Sequence, residues 1–180
     1  MQKLWNSDGN GPEIRVTMDG IAYYLSPVGE LVIESEENKI VAAKFLKDSK
    51  QTESFTPVIQ QCIEELNEYF YNGRKFFSVE LELRGTDFQK KVWNALLNIP
   101  FGKTVSYSGL AMATGDLKSV RAVGLANGQN PIPIIVPCHR VIGKDGNLVG
   151  YGGGLDKKEW LLRHEGVMSE QTELFASSAF

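Results

Sequence analysis

Cysteine and histidine are scarce in this chain of 180 residues, with two of each. Cys62, Cys138, His139 and His164 fall at spacings that match no Cys-x-x-Cys or Cys/His finger, which argues against a structural zinc centre. Two cysteines form at most one disulfide, and a reducing compartment is the simpler reading. Long apolar runs are also missing. No window approaches eighteen uninterrupted apolar residues, and the opening MQKLWNSDGNGPE holds no apolar segment with a cleavage site. The expectation is a cytoplasmic protein, nuclear if its source is eukaryotic, with no membrane partner. No Gln/Asn, Pro or Gly/Ser tract breaks the chain, and 42% hydrophobic with 23% charged residues is an ordinary globular balance.

The net charge of −3 conceals an asymmetry. Up to Thr86 there are 9 Lys/Arg against 14 Asp/Glu, from Asp87 to Glu165 there are 10 against 6, and beyond that 0 against 2. The second half is the basic one. Screening hides opposite charges beyond roughly 8–10 Å, so a local cationic face can attract phosphates on an acidic protein. Ordinary surface charge is the blander reading of the same numbers.

The first half reads as strands. IAYYLS, ELVIES and IVAAKFL alternate, separated by turns at Pro27-Val28-Gly29 and Glu36 to Lys39, which predicts two or three antiparallel strands. Thr56-Pro57 opens a helix with Val58, Cys62, Leu66 and Phe70 on one stripe, closed by Asn72-Gly73. Cys62 is therefore expected in a core. SVELEL (78–83) alternates again and predicts a further strand. After Gly85 the periodicity turns helical, with Phe88, Val92, Ala95 and Leu96 at helical spacing beside Trp93, and a stop at Pro100-Phe101-Gly102. SYSGLAMATG predicts a short helix capped by Ser106, and after a break at Gly115-Asp116, KSVRAVGLANGQN predicts another ending near Gly128. Two short helices joined by a Gly-containing turn outline a helix-turn-helix, a pattern that many all-helical cores share. A last helix is expected from Asp156 to about Glu165, with Leu161 and Leu162 inward and Lys157, Lys158 and Arg163 outward. The expected fold class is α/β, of the α+β kind. A small strand-rich N-terminal domain with one main helix (1–86) precedes a mostly helical C-terminal domain (87–166) and a flexible tail (167–180).

The chemistry concentrates in NPIPIIVPCHRVIGKDGNLVGYGGG. The run from Asn130 to Val136 predicts a buried strand that ends in Pro137, Cys138, His139 and Arg140. A nucleophilic cysteine needs a base and a group that orients the base. His139 is adjacent, yet neighbours on an extended strand point to opposite faces, so contact needs a turn after Pro137. Glu165, in the helix after the glycine loop, is a candidate for the orienting carboxylate. Spacing alone leaves Cys138 open between an inert buried thiol and a nucleophile. GYGGG lacks the G-x-G-x-x-G register of a nucleotide loop.

PCHRVIG, preceded by RAVGLANGQNPIPI and followed by GYGGGLDKKEWLLRHEG, resembles the O6-alkylguanine-DNA alkyltransferases, the methylated-DNA–protein-cysteine methyltransferases. The resemblance covers about Phe88 to Gly166, and the Ser-Tyr-x-x-Leu-Ala, Arg-Ala-Val-Gly and Leu-Leu-x-x-Glu motifs stand in the family's order. It implies a DNA-repair activity in which Cys138 accepts the alkyl group of O6-alkylguanine, with O4-alkylthymine as a second candidate lesion, once per molecule. His139 would take the thiol proton through a water, with Glu165 behind it, because a thiol of pKa near 8.5 is mostly unreactive at neutral pH. Tyr107 would donate to guanine N3, and Asn130 would set the turn beside the chemistry.

The partner implied is double-stranded DNA carrying the lesion, met by a monomer. O6 lies in the base pair, so the nucleotide must rotate out of the stack. Arg121 would fill the vacated space, while Ala122, Val123, Gly124, Ala126 and Gly128 keep the helix slim enough for a minor groove. Pro133, Val141, Tyr151, Gly152, Gly153 and Lys158 would wall or support the base pocket. Many relatives carry Ser where Gly152 stands. No His precedes Cys138, so the zinc site of some members is not expected, and the chemistry implies no cofactor. Two other readings are a binder of alkylated DNA without chemistry and a cysteine hydrolase. A binder has no need of Cys138, and a hydrolase would turn over repeatedly on an ester or amide.

Overall fold

The computed structural model describes residues 19–46, 52–115 and 117–168. The expectations for the opening residues 1–18, for Asp116 and for most of the tail fall outside these. The fold is mixed α/β. Strands β1 (Gly20–Ser26), β2 (Gly29–Glu36) and β3 (Lys39–Phe45) form one antiparallel sheet in sequence order. Glu37 (φ 48°) and Asn38 (φ 62°) both take the left-handed conformation that a tight two-residue hairpin requires. Ala22, Tyr24, Leu31, Ile33 and Ala43 face inward and are buried. Helix α1 (Pro57–Tyr71) packs on that face, with Thr56 as its cap, accepting from the Ile59 amide, and Pro57 in the first turn. Its stripe of Val58, Cys62, Leu66 and Phe70 is buried as the spacing predicts.

SVELEL does not form the strand its alternation predicts. Glu65, buried on α1, accepts the Ser78 N–H (2.8 Å), the Ser78 hydroxyl and the Val79 N–H (3.3 Å), so these amides are lost to a ladder. Only one parallel bridge remains, where Ile40 donates to Glu80 O and accepts from the Glu82 N–H. That bridge covers one end of edge strand β3. The Ala43 N–H covers the other by donating to Pro131 O (3.0 Å).

Thr86 opens α2 (Asp87–Leu97) with a reciprocal capping box to Gln89. Val92, Trp93 and Leu96 are buried, while Phe88 lies at the surface, 37% exposed, as a first-turn residue off the buried stripe. Ser106 caps α3 (Tyr107–Ala113), and a 3-10 turn leads into α4 (Val120–Gly128). α3 and α4 pack on each other, and α4 on α2, in the helix-turn-helix outline. A parallel pairing of β4 (Val105–Ser106) with β5 (Val141–Ile142) ties the start of α3 to the segment after Cys138. Helix α5 (Leu155–His164) closes the described chain. Its Leu161 and Leu162 are buried as expected, but Lys158 is also fully buried, contrary to its expected outward position. One continuous apolar core joins the sheet, α1, α2, α4 and α5.

Candidate active site

Asn130, just beyond α4, organises the segment that carries the thiol. Its Oδ1 accepts the Ile132 N–H (3.0 Å) and its Nδ2 donates to Val136 O (2.7 Å). Val136 N also returns to Ile132 O (2.9 Å), and Ile134 is forced to φ 77°. The expected strand from Asn130 to Val136 is therefore a compact turn, because Pro131 and Pro133 cannot donate to a ladder and the Asn130 amide satisfies the inward groups. Pro137 (φ −81°, ψ 63°) centres an inverse γ-turn, with the Cys138 N–H donating to Val136 O (2.8 Å). Cys138–Arg140 then form a single 3-10 turn. Neighbours on such a turn are not held on opposite faces, which removes the strand objection to pairing Cys138 with His139.

Cys138 is 4% exposed, at the edge of a cavity of about 470 Å³. Burial pushes its thiol up to about 11, while a hydrogen bond from Asn130, the charge of Lys158 and the N–H groups of the turn favour the thiolate. Lys158 donates to Val141 O (2.5 Å), Val149 O (2.8 Å) and Gly150 O (3.4 Å), tying α5 to β5 and to the glycine loop. Burial brings its ammonium down to about 8, so it still carries its proton at neutral pH.

His139 is fully buried, and burial lowers its pKa. Its Nε2 meets Glu165 Oε1 at 2.9 Å, while Nδ1 has no hydrogen-bond partner. Burial opposes the Glu165 charge, but hydrogen bonds from His139 and Arg140, with the Arg140 charge, outweigh it and bring the carboxyl to about 2. A carboxylate can only accept, so Nε2 carries the ring proton and Nδ1 holds the lone pair.

Glu165 is a hub. Arg140 grips it with Nε (2.9 Å) and Nη2 (2.9 Å) while donating from Nη1 to Ile99 O (2.6 Å). The Tyr69 hydroxyl (2.8 Å) and the Gly102 N–H (3.1 Å) complete it. Sequence reasoning missed the roles of Arg140 and Tyr69. Arg140 had a signal, a cation two residues from the thiol, whereas Tyr69 is 96 residues from Glu165 and had none. Asn127 was missed too; a polar residue on the inner face of α4, it is 1% exposed, with Nδ2 3.5 Å from Cys138 O.

Tyr107 heads α3, and its hydroxyl donates to Val149 O (3.0 Å) and Gly150 O (3.3 Å). The structure brings Asn130, Pro133, Tyr151, Gly152 and Gly153 together with Cys138 on the cavity. Val141 and Lys158 do not line it. The Val141 side chain is buried in the core, and Lys158 acts from behind through backbone carbonyls. A Cβ on Gly152 would sit 3.4 Å from Gly128 O, an ordinary contact, so this glycine is not sterically required. Gly153 is required, because a Cβ there would stand 2.5 Å from the Phe45 ring.

On α4, Arg121, Ala122 and Gly128 are exposed, together with Leu125 at 65%. Ala126 is not on that face; it is buried, and its carbonyl accepts the Trp93 indole N–H (2.8 Å). Val123 is likewise buried, and Gly124 packs on the Tyr107 ring. Among the described residues no helix is long and apolar enough to cross a membrane.

The chain matches two family models, the 6-O-methylguanine DNA methyltransferase ribonuclease-like domain over residues 21–83 and the DNA binding domain of the same name over residues 87–167. A methylated-DNA–protein-cysteine methyltransferase of Methanosarcina acetivorans is 44% identical over 151 residues, 81% of this chain and 97% of the relative. A crystal structure of the Mycobacterium tuberculosis O6-methylguanine methyltransferase superposes with a TM-score of 0.75 at 41% identity, covering 88% of this chain and 99% of that one. The M. tuberculosis OGT in complex with DNA superposes with a TM-score of 0.74 at 44% identity, over 81% of this chain and 92% of its own. With a buried thiol one residue from a buried histidine–glutamate pair and these matches along most of its length, the chain belongs to the methylated-DNA–protein-cysteine methyltransferase family.

Proposed function

We propose that this protein repairs alkylated DNA by transferring the alkyl group of O6-alkylguanine to Cys138, once per molecule. The observation that carries the reading is the buried Cys138 thiol at the edge of a cleft, on the same turn as a histidine whose free nitrogen is its basic one. At neutral pH a thiol with a pKa of about 11 is almost wholly protonated, so the proton must leave as the S–C bond forms. His139 Nδ1 takes it, directly or through a water, and the ionised Glu165 stabilises the imidazolium from Nε2. Sγ attacks the alkyl carbon opposite O6, the C–O bond breaks, and its electron pair goes to guanine. The proton returns to the purine, which leaves as ordinary guanine within the DNA. The product thioether has no leaving group that water displaces, hence the single turnover.

Cys138 is too deep to meet a base that stays stacked, so the target nucleotide swings out of the duplex. Arg121 and the exposed small residues of α4 face the DNA, with Arg121 taking the place of the extruded base. Tyr107 exchanges its loop carbonyls for guanine N3 and stabilises charge on the leaving base. The protein acts as a monomer in the cytoplasm on double-stranded DNA.

A duplex with a radiolabelled O6-methylguanine tests the reading. One label per protein, on Cys138, is expected. An unlabelled folded protein, or label that survives Cys138→Ala, overturns it. Repeated turnover on an ester or amide without DNA indicates the hydrolase instead.

A further inference from the structure

Helix α4 turns one stripe outward. Arg121, Ala122, Leu125 and Gly128 are exposed, while Val123, Ala126 and Asn127 are buried. The exposed positions recur every three or four residues, so their side chains share one face of the helix. Arg121 brings a cation to that face, and Ala122 and Gly128 bring almost no side chain. Leu125 is different. It is 65% exposed, one turn along from Arg121, and it stands midway between the two small residues. A lone exposed leucine is ordinary on a protein surface, but this one projects from the face that carries Arg121.

Dimensions give the projection its consequence. A helix with its side chains is about 10–12 Å across, whereas the minor groove of regular duplex DNA is about 6 Å wide. Alanine and glycine let the backbone come close. An isobutyl group standing between them does not enter a groove of regular width, so it either holds the helix off or opens the groove. Holding the helix off would withdraw Arg121, which takes the place of the extruded base. The rise of 1.5 Å per residue puts Leu125 about 6 Å along the helix from Arg121, less than two base-pair steps of about 3.4 Å. The groove therefore opens beside the lesion, by the partial unstacking of a step that apolar wedges bring about. Steps differ in what this costs. Pyrimidine–purine steps such as TA unstack readily, and A-tracts are stiff with a narrow groove.

We propose that Leu125 is a specificity-determining wedge, packed into the minor groove within two base-pair steps of the extruded nucleotide, so that repair depends on how easily a neighbouring step deforms. The inference rests on the alkyl-transfer reading above and adds a preference among lesions, for those beside flexible steps. Leucine has neither donor nor acceptor, so the preference involves no hydrogen bond to a base edge.

The test uses duplexes with one O6-methylguanine and either a TA or an AA step within two base pairs of it, on one side or the other. Both steps contain only A·T pairs, whose two orientations the minor groove hardly distinguishes, so the comparison isolates deformability. Rates of Cys138 methylation are measured below saturation for wild type and Leu125→Ala. Alanine is the better helix former, and the site is exposed, so the variant keeps its fold. Wild type is expected to act about fivefold faster on the TA duplex than on the AA duplex for at least one side of the lesion, and Leu125→Ala to lower that ratio to about 1.5 or less. The ratio is taken within each protein, so a smaller active fraction cancels. The slope of duplex affinity against salt is expected to be the same in both, because leucine neutralises no phosphate. Equal rates on all duplexes in wild type overturn the wedge, as does a Leu125→Ala variant that keeps the wild-type ratio or changes the salt slope. A wild type that is methylated by no duplex overturns the alkyl-transfer reading itself, and this inference falls with it.

Discussion

Cys62 and Cys138 are hidden to nearly the same degree, 0% and 4% exposed, and burial raises the pKa of both. They differ in what surrounds the sulfur. On α1, burial pushes the Cys62 thiol up to about 12, and the carboxylate of Glu65 one turn on pushes the same way. Around Cys138, burial is opposed by Asn130, the Lys158 charge and N–H groups of the 3-10 turn, and the thiol stops at about 11. A helix interior spends its amides on its own carbonyls, whereas a turn leaves amides that can face an anion. Burial thus marks neither cysteine as a nucleophile; partners that favour the anion mark one.

The largest expected effect tests this contrast directly. Native protein treated with a small uncharged alkylating reagent is expected to be modified at Cys138 at least about a hundredfold faster than at Cys62, because Cys138 lines a cavity and has anion-stabilising partners, whereas Cys62 is fully buried on α1 beside a carboxylate. Mass spectrometry of each cysteine peptide against time reads the ratio. Equal rates in the folded state would remove the distinction.

The second effect concerns the hub behind Cys138. Glu165→Gln leaves the buried Arg140 guanidinium without its carboxylate, a loss on the order of 3–5 kcal/mol in urea unfolding. The pH dependence has a definite sign. The folded carboxyl titrates near 2 against an ordinary 4.5, so its contribution is complete above 4.5 and disappears as pH falls from 4.5 toward 2. Wild type is expected to lose stability more steeply than Glu165→Gln across that window. Parallel curves would show that the Arg140–Glu165 pair contributes nothing net.

Much of the Cys62 region was legible in the sequence and less of the Cys138 region was. The hairpins follow from alternation, and α1 from Thr56-Pro57 and a four-residue apolar spacing, because local periodicity and capping decide such elements. The thiol, imidazole and carboxylate were legible as motifs in the right order. What hid was non-local or rule-breaking. Lys158 reads as a surface residue until three backbone carbonyls, supplied by β5 and the glycine loop, surround its ammonium. SVELEL alternates like a strand, yet its first amides belong to Glu65. Asn130 to Val136 reads as a buried strand, and an asparagine side chain folds it into a turn. Ala126 shares a helix with exposed small residues, and only its burial in the folded core shows that it faces inward. Tyr69 reaches Glu165 from another part of the chain altogether, across an interface no local pattern encodes.

Lys158 sharpens the comparison at smaller cost. Lys158→Met removes the cation that favours the Cys138 thiolate, and alkylation of Cys138 by the uncharged reagent is expected to slow about tenfold at pH 7, the scale of one unit of pKa. Cys62 has no such cation and its labelling on unfolding is expected to be unchanged. In wild type the ammonium titrates near 8, so the advantage over Lys158→Met is present below that pH and shrinks as pH rises through it. A difference that persists undiminished at pH 9.5 would mean that Lys158 acts only by holding the glycine loop.

The smallest effect is the converse. Cys62→Ala removes one buried sulfur from the α1 stripe, where Ile59 and Leu66, about one turn to either side, are themselves fully buried. The expected loss is about 1 kcal/mol, near the value of one buried methylene, and thermal unfolding would register it as a drop of a few degrees. Alkyl transfer to Cys138 is expected to keep its wild-type rate and its one-to-one stoichiometry, since the Cys62 sulfur is fully buried on α1 beside the Glu65 carboxylate, which disfavours its anion. A slowed transfer in a variant that unfolds almost normally would show that α1 reaches the thiol through Tyr69 and Glu165. The two cysteines would then be coupled parts of one site, and the inert core would be part of the mechanism.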